Sequence, residues 1–153
     1  MNDDLAAITI MLLTERQRAE FENDTHRKAQ VYADEVEQLW FAMNGLLQEV
    51  NGRFNGKFEL RSEGGAISFY LPGNDRRYLY LTVGTGEVGY ITIHVSGMSK
   101  DQKWKLRFAG QNSYTWTLDH QEILVDELAE IALVTLIQMV RSQLFDSTRF
   151  LIS

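Results

Sequence analysis

Apolar and polar residues recur along this chain with two different periods, and the place where the period changes divides it. From Thr25 onward, Tyr32, Val36, Leu39, Trp40, Met43, Leu46, Leu47 and Val50 return every three or four residues, the spacing of one helical face. From Gly56 to Leu118 apolar and polar residues alternate, the period of a strand. Beyond Asp119 the stretch IALVTLIQMV, Ile131 to Val140, is apolar on nearly every side, which marks a helix covered on more than one face.

The pattern predicts particular elements. A first helix runs from about Asp3 to Glu22 with Leu5, Ile8 and Leu12 on one stripe. Asn23-Asp24-Thr25 favours caps and turns over helix interior, so the helical segment is either broken there or continuous through a polar turn. Asn51-Gly52 supplies a stop. Candidate strands are Lys57–Arg61, Ala66–Leu71, Arg77–Val83, Tyr90–Val95, Lys103–Phe108 and Tyr114–Leu118, separated by Gly64-Gly65, Pro72-Gly73-Asn74-Asp75 and three further Gly-rich connections. Connections this short hold no crossover helix, so neighbouring strands are expected to be antiparallel. Asp119, with Glu122 three residues later, reads as the N-cap of the last helix. The apolar tail Phe150-Leu151-Ile152 reads as an added edge strand or a contact with a second copy.

The expected fold class is α+β: a single antiparallel meander sheet of five or six strands, flanked by N-terminal and C-terminal helices packed on one face. One domain spans 1–153, helical over 1–55, sheet over 56–118 and helical over 119–148. At 153 residues and 44% hydrophobic, such a chain buries a core without staples. Cysteine is absent, which excludes disulfides, a thiolate nucleophile and cysteine metal sites. The apolar run Leu5–Leu13 is about half a membrane span and follows Asp3 and Asp4 where a signal peptide carries positive charge. These readings predict a soluble, cytoplasmic protein with no membrane partner.

Alternation also separates two sheet faces. Phe58, Leu60, Ile67, Phe69, Leu71, Leu79, Leu81, Val83, Ile91, Ile93, Val95, Trp104, Leu106, Phe108, Tyr114, Trp116 and Leu118 form a face too apolar to be exposed. The opposite face carries Lys57, Tyr70, Tyr78, Tyr80, Tyr90, His94, Lys103, Lys105 and Arg107 among threonines, and these nine are the candidate binding residues. Closing each hairpin as tightly as parity allows predicts one row, Lys57, Tyr70, Tyr80, His94, Lys105 and Thr117, across six strands. A second row holds Glu59, Ser68, Thr82, Thr92, Arg107 and Thr115. A two-residue slip in any hairpin breaks the rows and keeps the faces.

Charge sharpens this reading. The net charge of -6 divides unevenly: residues 1–55 hold 5 Lys/Arg and 10 Asp/Glu, residues 56–118 hold 8 and 5, and residues 119–153 hold 2 and 6. An anionic partner would therefore choose the sheet. Tyrosines and cations on an open sheet can stack bases and neutralise phosphates, whereas Tyr and Thr also suit solvated strands and protein interfaces.

Reaction signatures are missing. Gly84-Thr85-Gly86-Glu87-Val88-Gly89 matches the dinucleotide fingerprint but is followed by a strand where a helix N-terminus is required. His26, His94 and His120 lie on separate elements with no metal-ligand spacing. Glu122, Asp126 and Glu130 follow helical spacing and read as a solvated acidic stripe, the alternative being a cation or acid/base site. No catalytic residue, metal or cofactor is expected. The leading expectation is a non-enzymatic macromolecular interaction protein of adaptor, chaperone or inhibitor type, dimeric, acting through the open Tyr/Thr/Lys face or the acidic helices. Its partner is a protein or a second copy. The rivals are a single-stranded nucleic-acid-binding module on the same face, and a small-ligand receptor or enzyme with a pocket between helices and sheet.

Overall fold

A computed structural model describes residues 2–73 and 77–152, with side chains described at 3–73 and 77–144. Two helices, α1 (Asn2–Asn23) and α2 (Thr25–Phe54), precede seven strands and a final helix. The strands are β1 (Glu59–Glu63), β2 (Ala66–Tyr70), β3 (Arg77–Gly84), β4 (Tyr90–Val95), β5 (Gln102–Gly110), β6 (Ser113–Leu118) and β7 (Gln121–Ile123). They form one antiparallel sheet in chain order, a meander of seven strands where five or six were expected. The α+β architecture read from the pattern is the one observed.

The helical segment is broken at Asp24, whose carboxylate accepts from the Arg27 N–H at 3.0 Å and caps α2. The Asn51-Gly52 stop is not used, because α2 continues one more turn to Phe54 and ends on Asn55 in the left-handed region (φ 54°). Asn51 instead turns its amide to the sheet edge. Its Nδ2 donates to the Leu60 carbonyl (2.9 Å) and its Oδ1 accepts from the Leu60 N–H (2.8 Å). The sheet edge at β1 is thereby fastened to α2.

Helix α3 (Val125–Ile152) packs against α2 and beneath β3, β4 and β6. Its Leu128, Ala129, Ala132, Leu133, Leu136 and Val140 are buried, as the apolar run requires. The expected N-cap at Asp119 is a correction: Asp119 (φ 54°) and His120 make the turn between β6 and β7, closed by Leu118 opposite Gln121. The helix therefore begins six residues later. Phe150-Leu151-Ile152 belongs to α3 and not to an edge strand, and the side chains of that tail lie outside the described residues. So do Asn74 and Asp75 of the Pro72 turn.

The core sits between sheet and helices and includes Trp104, Trp116, Phe69, Ile67, Leu81 and Ile91 from the strands, with Leu39 and Met43 from α2. Tyr32 of α2 crosses it, its ring 6.2 Å from Trp116 and its hydroxyl donating to the Tyr90 carbonyl at 2.6 Å. Burial pushes the Tyr32 phenol up, with a smaller contribution from Glu87. Glu35, half-buried one turn further on, is likewise pushed up by burial, partly offset by the Trp116 indole and reinforced by Asp126 and Asp34. Among the described residues no helix is long and apolar enough to cross a membrane.

Candidate binding face

Register decides which polar side chains meet. Gly64 and Gly65, both at positive φ (54° and 82°), make the two-residue turn that pairs Glu63 with Ala66. This moves β1 two residues along from the expected span. Tyr70 consequently faces Glu59 and not Lys57. Lys57 lies outside the strand, exposed in the connection from α2, where its N–H donates to the Phe54 carbonyl.

The other pairings shift as well. Tyr80 sits opposite Ser68 and not Tyr70, His94 opposite Thr82 and not Tyr80, and Lys105 opposite Tyr90 and not His94. Lys105 with Thr117 and Arg107 with Thr115 are as expected. The expected six-strand rows are thus broken, while the faces they ran on are kept. The hairpins after β3 and β4 are centred elsewhere than the tightest closure assumes, with Gly84 opposite Thr92 and Ile93 opposite Gln102, and parity alone carries no information about where a turn is centred.

Tyr78 is the one candidate that changes side. An irregularity in pairing puts Tyr70 opposite Arg77 while Phe69 stays opposite Leu79, so β3 carries an extra residue there. The Tyr78 ring stands 6.5 Å from Phe69 and packs on the core. Arg77 takes the open face in its place, its guanidinium carbon 4.0 Å from the centroid of Tyr80.

The remaining candidates come together as a mixed surface of rings, cations and carboxylates. Arg61 lies 4.1 Å over Tyr70, whose hydroxyl donates to Glu63 (2.9 Å), and this bond holds the phenol above its ordinary pKa. Under this lid Tyr70 and its neighbour Ser68 are buried although they face outward. Lys103 reaches over Tyr90 at 4.5 Å and pairs with Glu87 at 3.0 Å. His94 stands 6.1 Å from the Tyr80 ring, and its Nδ1 is 2.6 Å from Asp101 Oδ1. Arg61 and Glu59 are 3.0 Å apart, and Arg107 and Glu122 4.0 Å. Lys105 is exposed.

Among the described residues, five cations, Arg61, Arg77, Lys103, Lys105 and Arg107, therefore share this face with five carboxylates, Glu59, Glu63, Glu87, Asp101 and Glu122, so that the positive balance of residues 56–118 is not matched by a positive excess of these face residues. Glu122 is one reason: it lies on β7, not on a helix, and its Oε1 accepts from Thr115 at 2.7 Å. Of the carboxylates only Glu59 was expected on this face; Arg77 is missing from the candidates because the extra residue at Tyr78 leaves no trace in alternation, Glu63 because β1 was set to end at Arg61, Glu87 and Asp101 because they lie in connections, and Glu122 because it reads as helical. The signal within reach was Glu59, Arg61 and Glu63 alternating with Leu60 and Ser62.

The residues considered for chemistry do not converge. His94 is held by Asp101 on the open face, Glu122 by Thr115, and Asp126 at the start of α3 by Gln38 of α2 at 3.0 Å. Among the described residues no group of three or more His, Asp or Glu is placed to hold a metal ion. The Gly84–Gly89 stretch joins two antiparallel strands, as its context predicts. Between the end of α2, β2 and α3 lies an apolar groove of about 330 Å³, lined by Phe54, Phe58, Phe69, Ile137 and Val140, with Arg141 among its residues. No protein-family model, curated protein or solved structure matches this chain.

Proposed function

We propose that this is a non-enzymatic interaction protein that docks a partner protein on the open face of its sheet, centred on Tyr80, Tyr90, Arg77, His94 and Lys105. The observation that carries this reading is the pairing of each ring with a cation and most cations with a carboxylate. Tyr and Arg are enriched at protein interfaces, and balanced charge suits a partner that presents both signs. A nucleic acid favours the opposite arrangement, a net positive groove with ring faces free for bases. Here a base would have to displace Arg77 from Tyr80 and Lys103 from Tyr90.

A photo-crosslinking residue placed at Tyr80 or Tyr90, with exposed Phe41 of α2 as control, tests the reading in the source cells. A single protein crosslinked from the sheet positions and not from Phe41 supports it. Crosslinks to RNA or single-stranded DNA, with oligonucleotide affinity falling steeply as salt rises, would give the face to the nucleic-acid rival. Crosslinks from Phe41 alone would move the interface to the helices.

A further inference from the structure

A cavity of about 340 Å³ opens where α1, α2 and the turn between β5 and β6 meet, lined by Gln17, Glu20, Arg27, Phe108, Gln111 and Asn112. Helix α1 reaches it through its second half alone. Residues 3–13 are exposed, whereas Thr14 lies beside Gly110, Arg18 Nε donates to the Phe108 carbonyl at 3.0 Å, and Phe21 is buried against Phe108 and Tyr114. Two features of this cavity are not explained by packing.

The first is its cation. Arg27 is half-buried, with its guanidinium carbon 5.7 Å from the Phe21 centroid and 5.8 Å from that of Phe108, while Nη2 donates to the Tyr114 hydroxyl at 3.3 Å. These contacts fix the guanidinium and leave its other N–H groups unused. Among the described residues no carboxylate pairs with it, although Lys28, the next residue and also half-buried, has Glu22 at 2.7 Å. Arg18, half-buried on the other side of Phe108, has no acid either. A guanidinium partly withdrawn from water favours an anion on its free edge, and its planar fork fits a carboxylate with two parallel bonds.

The second is the turn. Gln111 (φ 51°) and Asn112 (φ 59°) are both left-handed, in the two-residue loop that pairs Gly110 with Ser113. Such loops favour Asn-Gly or Gly-Asn, and glutamine has none of asparagine's local hydrogen bonding to offset the strain. A residue held in an unfavourable backbone region is more often found where a ligand is bound. Both carboxamides of this turn line the cavity, facing the cation with that of Gln17.

We propose that the cavity binds a free amino acid, with its α-carboxylate on Arg27, its α-ammonium on Glu20 and its remaining polar groups on the carboxamides of Gln17, Gln111 and Asn112. The lining selects this class. Glu20 is exposed and held only by a loose contact with Arg16, 3.8 Å, so it is available to an ammonium group. The same carboxylate repels a phosphate dianion, and an apolar ligand would strip water from the carboxamides without replacing their bonds. The volume lies at the lower end of the range for small-molecule sites and is too small for a folded partner. Nothing in the site involves the open face of the sheet, so this proposal and the docking proposal can fail separately.

Heteronuclear NMR of the isotope-labelled full chain tests it at the atoms concerned, because the Arg27 Nε–H and the carboxamide groups of Gln17, Gln111 and Asn112 give their own signals. The common L-amino acids are added one at a time, up to about 10 mM. At least one is expected to move these signals together and saturably. Its α-amide, which lacks the carboxylate, and its N-acetyl derivative, which lacks the ammonium, are each expected to bind at least ~10-fold more weakly. Both derivatives are measured on the wild-type chain, so misfolding of a variant cannot imitate their result. Arg27→Lys keeps the charge without the fork and should weaken binding by ~10-fold or more. Gln111→Gly should melt no lower than wild type, its strain removed, and yet bind about 3-fold more weakly or worse.

A panel in which no amino acid moves the signals overturns the proposal, as does a ligand whose affinity survives loss of its carboxylate or Arg27→Lys. Inorganic phosphate shifting the Arg27 signal where no amino acid does so would make this a general anion site and overturn the assigned class. A Gln111→Gly variant that binds as tightly as wild type overturns the part given to the turn.

Discussion

The two faces of the sheet are made by the same strands and hold themselves together in different ways. On the covered face Trp104, Trp116 and Phe69 are at most 2% exposed and lie among α2, α3 and neighbouring rings. Order there comes from exclusion of water and close packing. On the open face Tyr70, Tyr80 and Tyr90 lie under Arg61, Arg77 and Lys103, and two of these cations, Arg61 and Lys103, lean on Glu59 and Glu87. Each such contact is screened by water and adds little to stability. The covered face thus supplies stability, whereas the open face supplies a prearranged pattern of rings and charges at little cost to the fold.

Substitutions should separate these two roles. The largest effect is expected from Trp104→Ala, which removes a fully buried ring and should lower unfolding free energy by about 3–5 kcal/mol in a denaturant titration. A loss below ~1 kcal/mol would mean that the covered face is not the stabilising one. Next comes Asn51→Ala, which leaves the outward N–H and carbonyl of Leu60 without their side-chain partner. A loss of about 1–3 kcal/mol is expected, together with faster amide exchange at Leu60. Tyr80→Ala should cost under ~1 kcal/mol in stability and abolish partner crosslinking at Tyr90. An equal loss in stability and in crosslinking would erase the distinction between the faces.

The smallest effect should have the opposite sign. Burial holds the Glu35 carboxyl above the ordinary carboxylate range, so the folded state binds its proton more tightly than the unfolded chain. Wild-type stability therefore falls as pH rises from the ordinary carboxylate value through the raised one. Glu35→Gln removes that loss. The variant should melt higher than wild type at neutral pH, with the gap narrowing as the pH is lowered through that window. A gap that widens on acidification would show that Glu35 is held charged in the fold.

The two faces also differ in how far the sequence revealed them. Every strand residue assigned to the covered face from Leu60 to Trp116 packs there, because burial imposes period 2 on each strand independently. Neighbour relations on the open face depend on loops. A two-glycine turn moved β1, an extra residue exchanged Tyr78 for Arg77, and the three-residue β7 was concealed in what reads as a helix cap. None of these changes which residues are apolar, so alternation carries no record of them. The break at Asp24 was visible as capping chemistry, whereas the exposure of Leu5–Leu13 was not, since an apolar run reads the same whether its cover comes from its own chain or from elsewhere.

A primary carboxamide carries a carbonyl and, beside it, an N–H that points the same way, the pair of groups that a strand residue presents to its neighbour. By bonding both backbone groups of Leu60, Asn51 occupies the slot that the next strand of a growing sheet would fill. An incoming extended segment, from a stray peptide or from an unfolded sister chain, meets at that point a position already taken and a helix standing behind it. The meander is thereby given a definite end on the β1 side, and the open face can serve the docking role proposed for it without offering that edge as a seed for polymerisation.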